Sequence, residues 1–488
     1  MSEYEPIIGL EIHAELLTQS KMFCGCSVVD PTTSEPNTAV CEICTGMPGT
    51  LPAINQRAVE FAIRVGLALH CGINETSVFA RKNYFYPDLP KGYQISMYEL
   101  PLATNGWLDI RTEEGEKRIR IRRVHLEEDT GKLTHCDGYS LVDYNRSGVP
   151  LLEIVSEPDM RSMQEVKSFS HAIRSFLRYL EVNSGDMEKG VMRFEANVSV
   201  RPVGSDRLGT RTEIKNLNSF RAMVHAIDFE VDRQSKILST DGEVVQETLG
   251  WDKANGVTVS QRGKEEAHDY RYFPEPDLPP LHVDPAWTQQ IRSQLPELPD
   301  AKAARFVEKY GLTPYASDVL VVERAVADFF EEAVSTAADV PADKIANWVT
   351  SDLFGLLNEA GIEITESKVS PRALSEVVAM VEAGDINATS AKAVLADTFD
   401  SGKTPADIVA AKGLAQLNDT EAIGTLVQQV LQENPEQVDL YLGGKVNLSQ
   451  WFFGQVMQAT RGRANPAVVR SCLEVALQQL QKTHHADS

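Results

Sequence analysis

The stretch Leu10-Glu11-Ile12-His13-Ala14-Glu15 alternates strictly, so as a β-strand it sets Glu11, His13 and Glu15 on one face and Leu10, Ile12 and Ala14 on the other. A second stretch, MRFEANVSV (192–200), gives Arg193, Glu195, Asn197 and Ser199 one face and Met192, Phe194, Ala196 and Val198 the other. In a third, TRTEIKN (210–216), Arg211, Glu213 and Lys215 line up likewise. Half-polar strands interleaved with helix-period stripes predict an α+β fold, with helices on one face of a large, mainly antiparallel sheet. Acid beside base suits a site for Mg2+ and phosphate together, because the base holds the phosphate oxygens that the metal leaves free. Exposed cross-strand ion pairs carry the same signature, so the rows alone leave both readings open.

Working outward, HLEEDTGKL (125–133) follows the basic run KRIRIRR and adds His125, Glu127, Glu128 and Asp129. In VDYNRSGVPLLEIV (142–155) Glu153 sits between Leu152 and Ile154, and a carboxylate in so apolar a strand needs a partner. The segment KNLNSF (215–220) sets Lys215 and Asn216 beside a helix starting at about Asn218, where free N–H groups attract anions. Helices are also expected from Asn55 to Cys71, closed by Gly72, and from Ser162, where Glu165 three residues on completes a capping box. Two loops, RKNYFYPDLPKGYQIS (81–96) and DYRYFPEPDLPP (269–280), interleave bases with aromatic residues, a composition suited either to holding a single-stranded nucleic-acid end or to anchoring loops on the core.

Cys24-x-Cys26 and Cys41-x-x-Cys44 have nearly the two-knuckle spacing of a zinc ribbon, and a closed four-thiolate Zn2+ site would pin the loop 22–46. A redox pair or four unrelated thiols are the alternatives. No phosphate-binding GxxxxGK[ST] loop, GxGxxG turn, GxSxG elbow or HExxH motif occurs, so a nucleotide would have to be held by metal and carboxylates on a sheet.

The chain has 488 residues and net charge −23, which opposes broad adhesion to nucleic acid or anionic membranes and requires any nucleic-acid contact to be local. No apolar run approaches a membrane span, and acids stand where a targeting peptide carries bases, so the protein is expected to be soluble and cytoplasmic. A Pro-rich passage, PEPDLPPLHVDPAW (274–287), reads as a boundary segment, after which Ser/Thr-Pro helix starts dominate. Three domains are expected, at 1–295, 296–410 and 411–488. The last is almost neutral, with Lys445, Arg461, Arg463 and Arg470 gathered in it.

Taken together, IIGLEIHAEL, RKNYFYPDLPKGYQIS, HLEEDTGKL, VDYNRSGVPLLEIVSEPD, EIKNLNSF and DYRYFPEPDLPP resemble the B-subunit family of the bacterial tRNA-dependent amidotransferases (GatB), along the whole chain. The resemblance implies a cradle domain akin to glutamine synthetase and the guanidino kinases, then a helical domain and a YqeY-like tail. It implies a carbon–nitrogen ligase that converts Glu-tRNA(Gln) or Asp-tRNA(Asn) to the amide. ATP phosphorylates the tRNA-borne carboxylate, and a partner amidase supplies ammonia from glutamine. The implied partners are the amidase and a small third polypeptide of the same amidotransferase (its A and C subunits), in a heterotrimer, and misacylated tRNA, with no membrane. Carried over by motif, Glu11, His13, Glu127 or Glu128, and Glu213 are the expected Mg2+ ligands and catalytic groups, with Glu153 and Glu195 as further candidates. Lys82, Lys91, Arg193, Arg211, Lys215 and Asn216 are expected to contact phosphate or the acceptor end, and Lys445, Arg461, Arg463 and Arg470 tRNA. The Cys quartet, present in only some members, is structural on this view. Two other readings remain: a tRNA-independent amide ligase or kinase on the same fold, and a non-catalytic zinc-containing tRNA-binding scaffold.

Overall fold

The computed structural model describes residues 3–30, 32–263, 270–337, 339–417, 419–460 and 464–486. It divides into two compact units, Met1–Leu298 and Pro299–Ser488.

In chain order the first unit contains β1 (Tyr4–Glu15), α1 (Gln56–Ala68), β2 (Gly72–Ile73), β3 (Thr76–Ser77), β4 (Ala80–Asn83) and β5 (Tyr93–Ser96). Then come β6 (Ala103–Thr112), β7 (Gly115–Glu128), β8 (Lys132–Cys136), β9 (Tyr139–Asp143), β10 (Pro150–Ser156) and α2 (Met163–Tyr179). It ends with β11 (Met192–Pro202), β12 (Thr212–Leu217), α3 (Phe220–Ser239), β13 (Glu247–Asp252), β14 (Val257–Gly263), β15 (Phe273–Pro274), β16 (Leu281–His282) and α4 (Pro285–Ser293). Among the described residues twelve strands form one sheet in the order β14-β13-β12-β11-β1-β10-β7-β5-β4-β15, with β6 on β7 and β2 on β6. Every pair is antiparallel except β12 with β13. β1 lies near the middle, between β10 and β11.

The two faces sort as the alternation requires. Leu10, Ile12, Val124, Leu126, Leu152, Ile154, Phe194, Ala196 and Ile214 enter one core, closed by α1 and α2 over β6 and by α3 over β11 and β12. Asn55 caps α1 by accepting from the backbone N–H groups of Arg57 and Ala58. This helix ends at Ala68 rather than Cys71; His70, at φ 57°, takes the left-handed position after it and stacks on Trp107, so Gly72 is not the stop. Ser162 caps α2, but the reciprocal arm of the expected capping box goes elsewhere. Glu165 accepts from the Arg161 N–H at 2.6 Å and from Lys117 Nζ at 2.8 Å. The N-cap of α3 is Ser219, one residue later than expected, and its hydroxyl accepts from the Ala222 N–H.

The Pro-rich passage packs on the first unit. Phe273 and Pro274 pair with β4, buried Glu275 takes a two-pronged ion pair from Arg81, Leu281 and His282 pair with β3, and α4 packs on α1. Beyond it the described residues are helical. Helices Pro314–Leu320, Pro371–Glu382 and Pro405–Lys412 begin with proline after a capping Thr313, Ser370 and Thr404. Residues 423–477 of this unit build their own apolar cluster around Val427, Phe452, Val456 and Val469.

Candidate active site

Along the polar face, three facing positions align across β7, β10 and β1: His125 opposite Glu153, and Glu153 opposite His13. One step along β1, Glu11 stands opposite Glu195 of β11, and Asn197 stands opposite Glu213 of β12. Two groups of ligand atoms result, each mutually within 4.8 Å: His13, Glu127 and Glu153, and Glu11, Glu195 and Glu213. In the first, His13 Nε2 lies 3.3 Å from Glu153 and 3.6 Å from Glu127, while its Nδ1 is buried without a hydrogen-bond partner. In the second, Asn197 donates to Glu11 at 2.8 Å, and Lys215 Nζ lies 3.1 Å from Glu195 and 3.7 Å from Glu213.

The electrostatics are those of a carboxylate cluster short of positive charge. Burial lifts the Glu11 carboxyl above its ordinary value, and the charges of Glu153, Glu195 and Glu213 add to the lift. Glu127 is pushed up to about 7, by burial first and then by Glu153. Burial opposes a charge on His13, yet Glu153, Glu195 and Glu127 prevail and raise it to about 9. A divalent cation among these groups would supply the missing charge, and a mixed histidine–carboxylate donor set suits one.

A cavity of about 940 Å³ lies over both triads. Lys82, Arg193, Arg211 and Lys215 border it with the acids. Lys82 Nζ sits over the Tyr270 and Tyr84 rings, 5.0 and 5.9 Å from their centroids, and Tyr272 stacks on Tyr98 at 4.2 Å. The two aromatic loops, almost two hundred residues apart, thus meet at the cavity. Arg193 bonds Asp129 at 2.8 Å, and Arg146, which donates to the Thr130 and Gly131 carbonyls, lies 3.7 Å from the same carboxylate.

Not every expected residue is here. Glu128 points to the opposite face of β7 from Glu127, buried in an ion pair with Lys91 and accepting from the Ile95 N–H. Lys91 and Glu128 instead line a separate cavity of about 180 Å³ beside Cys24 and Cys44. Asn216 falls in β12, but its side chain lies outside the described atoms. Lys445 and Arg470 are exposed in the second unit, Arg470 over the Phe453 ring at 5.2 Å, whereas Arg461 and Arg463 lie outside the described residues.

Sequence reasoning missed Arg123 and Tyr98. Arg123 reaches Glu153 at 3.6 Å only because β7 is irregular opposite Val155 and Ser156, which face Arg123 and Ile121 and leave Arg122 unmatched. The signal for Tyr98 was present: Gln94, Ser96 and Tyr98 continue one alternating row to the cavity.

The Cys24, Cys26, Cys41 and Cys44 sulfurs also lie within 4.8 Å of one another. Cys44 Sγ accepts from the Cys41 N–H at 3.2 Å, and the Cys44 thiol is pulled down to about 4, first by the Cys24 hydrogen bond. Four converging sulfurs fit a metal better than a single redox pair does.

No helix of the described residues is long and apolar enough to cross a membrane. Residues 6–289 match the family described as GatB/GatE catalytic domain, and residues 328–477 the one described as GatB domain. A curated protein of Persephonella marina, named as the B subunit of aspartyl/glutamyl-tRNA(Asn/Gln) amidotransferase, is 50% identical over 475 residues, covering 97% of this chain and 100% of its own. Proteins of the same name from Oleidesulfovibrio alaskensis and Myxococcus xanthus are 52% and 50% identical, covering 97% and 98% of this chain and 99% of each relative. With two family descriptions matched in tandem and half the residues shared along nearly every position, the chain belongs to the GatB family.

Proposed function

We propose that this chain is the kinase and transamidase component of a tRNA-dependent amidotransferase. It forms Gln-tRNA(Gln) from Glu-tRNA(Gln), Asn-tRNA(Asn) from Asp-tRNA(Asn), or both, with ATP and with ammonia drawn from glutamine by a partner amidase. The observation that carries the reading is the pair of triads on one sheet face, Glu11–Glu195–Glu213 beside His13–Glu127–Glu153, under a cavity bordered by Lys82, Arg193 and Lys215.

The side-chain carboxylate of the glutamyl or aspartyl group carried by tRNA is free and a poor acyl donor, so the γ-phosphoryl group of ATP must pass to it before ammonia can displace phosphate. Such transfers are governed by positioning and charge neutralisation. The triads would hold Mg2+, which neutralises phosphate oxygens during transfer. Lys215 and Arg193, each already beside an acid, are placed to take the remaining phosphate charge. Lys82 and its tyrosines offer a cationic, stacking surface for the aminoacylated end, on which a base-face contact needs no sequence match. Zn2+ in the Cys quartet holds a loop that lacks helix and strand; its four sulfurs leave no position for substrate.

The division of labour proposed is a cradle at 1–295, a helical domain at 296–410 and a tail at 411–488 whose Lys445 and Arg470 meet tRNA. The amidase and the small third polypeptide complete a cytoplasmic heterotrimer. In the assembled enzyme Glu11→Gln is expected to abolish ATP hydrolysis stimulated by misacylated tRNA while leaving tRNA binding intact. Full hydrolysis by the variant would overturn the site assignment.

A further inference from the structure

Lys21 has no accessible surface, and its ammonium has no carboxylate partner within 4.0 Å among the described residues. Its Nζ lies 3.7 Å from Cys44 Sγ and 3.2 Å from the Tyr144 carbonyl oxygen. The backbone around it is fixed: the Lys21 N–H donates to the Cys26 carbonyl in the first knuckle, and the Asn55 side chain, the cap of α1, donates to the Lys21 carbonyl. From this held backbone the side chain runs to the sulfur cluster. By contrast, Lys302, which is also buried, meets Asp328 at 2.7 Å.

A buried ammonium demands compensating charge. One carbonyl dipole and a neutral thiol, a weak acceptor, do not provide it. Four thiolates around a divalent metal carry a net charge of about −2, by the charge count of such sites. That excess, a hydrogen-bond length away, is the partner that Lys21 otherwise lacks. The benefit is mutual, because an N–H···S bond withdraws charge from the sulfur and holds it as thiolate on the metal, as outer partners of metal ligands do.

We propose that Lys21 is the buried counter-cation of a four-thiolate zinc centre at Cys24, Cys26, Cys41 and Cys44, and that it controls how firmly the metal is retained. The proposal rests on the zinc reading given above and adds to it a residue outside the ligand set. Through the Tyr144 carbonyl the same ammonium ties the centre to the segment that the second knuckle already grips. There the Ala39 N–H donates to Asn145 at 2.8 Å and Ser147 donates to the Cys44 carbonyl at 3.3 Å.

The test compares full-length wild type, Lys21→Met and Lys21→Arg for zinc content and for zinc release to a chromogenic chelator during titration with an organomercurial. Wild type is expected to carry about one zinc per chain. Lys21→Met should retain the metal roughly tenfold to a hundredfold less well, the range for losing an outer partner of a metal ligand. Lys21→Arg should recover part of the loss. In cobalt-substituted protein the thiolate-to-cobalt absorption should move in Lys21→Met and return toward its wild-type position in Lys21→Arg, a signature that loosened packing alone would not produce. Zinc in wild type with unchanged release from Lys21→Met overturns the counter-cation role and spares the zinc reading. Wild type without zinc overturns both. If Lys21→Met fails to fold, an experimental structure of the zinc-loaded wild type decides: Nζ within hydrogen-bond reach of Cys44 Sγ is expected, and Nζ turned to a carboxylate overturns the proposal.

Discussion

Glu127 and Glu128 are neighbours with opposite fates, and period-two geometry is the reason. One side chain enters the cavity with His13 and Glu153, and the other crosses to Lys91 on the far side of the sheet. Glu127→Gln is accordingly expected to lower ATP-dependent amidation by at least about a hundredfold, the scale for removing a group that stabilises developing charge. Glu128→Gln is expected to leave ATP cleavage largely intact and to destabilise the fold by about 3–5 kcal/mol, because it breaks a mostly buried ion pair and leaves the Lys91 ammonium without its partner. Parallel urea melts and ATPase assays separate the two, and equal loss of ATP cleavage in both variants would refute the facing assignment. The sequence run of acids named both residues but did not say which faced the cavity, because that depends on where β7 slips. Ile119 and Ile121 enter the core, as do Val124 and Leu126, so two residues rather than one separate Ile121 from Val124. An unbroken alternation from Ile119 would send His125 and Glu127 into the core. Rows without such a slip, Glu11–His13 and Arg193–Glu195, were legible from alternation alone.

At the scale of elements, one carboxylate ties α3 to two strands of the sheet beneath its apolar contacts. Glu230 is wholly buried and accepts from Arg233 at 2.7 and 2.9 Å, from Thr212 of β12 and Gln234 at 2.9 Å, and from Thr258 of β14 at 3.1 Å. Burial would raise its pKa, but these hydrogen bonds and Arg233 prevail and hold it below the ordinary 4.5. A carboxyl depressed in the folded state contributes stability that is complete above the unfolded value and is lost as pH falls below it. Glu230→Gln is therefore expected to cost about 1–3 kcal/mol at pH 7, where it removes charged hydrogen bonds. It should also flatten the fall in stability below pH 4.5, as urea midpoints across pH 3.5 to 7 would measure. A variant with an unchanged acid slope would contradict this. The starts of α3, α1 and α2 were legible to within a residue or two, at about Asn218, at Asn55 and at Ser162. The buried Glu230 was not, since a lone acid on a helix reads as solvated until the strands that bind it are placed.

For the whole molecule, the charge of −23 has two parts. Much is surface, but the acids of the two triads form a local concentration that a metal–nucleotide complex would balance. The nearly neutral tail is where tRNA contact need not fight that charge, so removing residues 411–488 is expected to weaken tRNA binding while sparing ATP cleavage at saturating tRNA. Filter binding and ATPase titrations would check this, and loss of cleavage at saturation would count against it. The sheet and helical region were readable at this scale because local periodicity encodes them. The convergence of loops 81–96 and 269–280 was not, because the pairing of β15 with β4 is a contact across nearly the whole first unit. The central claim is that these carboxylates activate a tRNA-borne acid. The most direct measurement is amide formation by the full chain with Glu-tRNA(Gln) or Asp-tRNA(Asn), ATP and ammonium, with and without an amidase partner. Amidated tRNA formed in step with ATP cleavage, and abolished by Glu11→Gln, is the expected result; ATP cleavage driven by free glutamate or aspartate and indifferent to tRNA would contradict it.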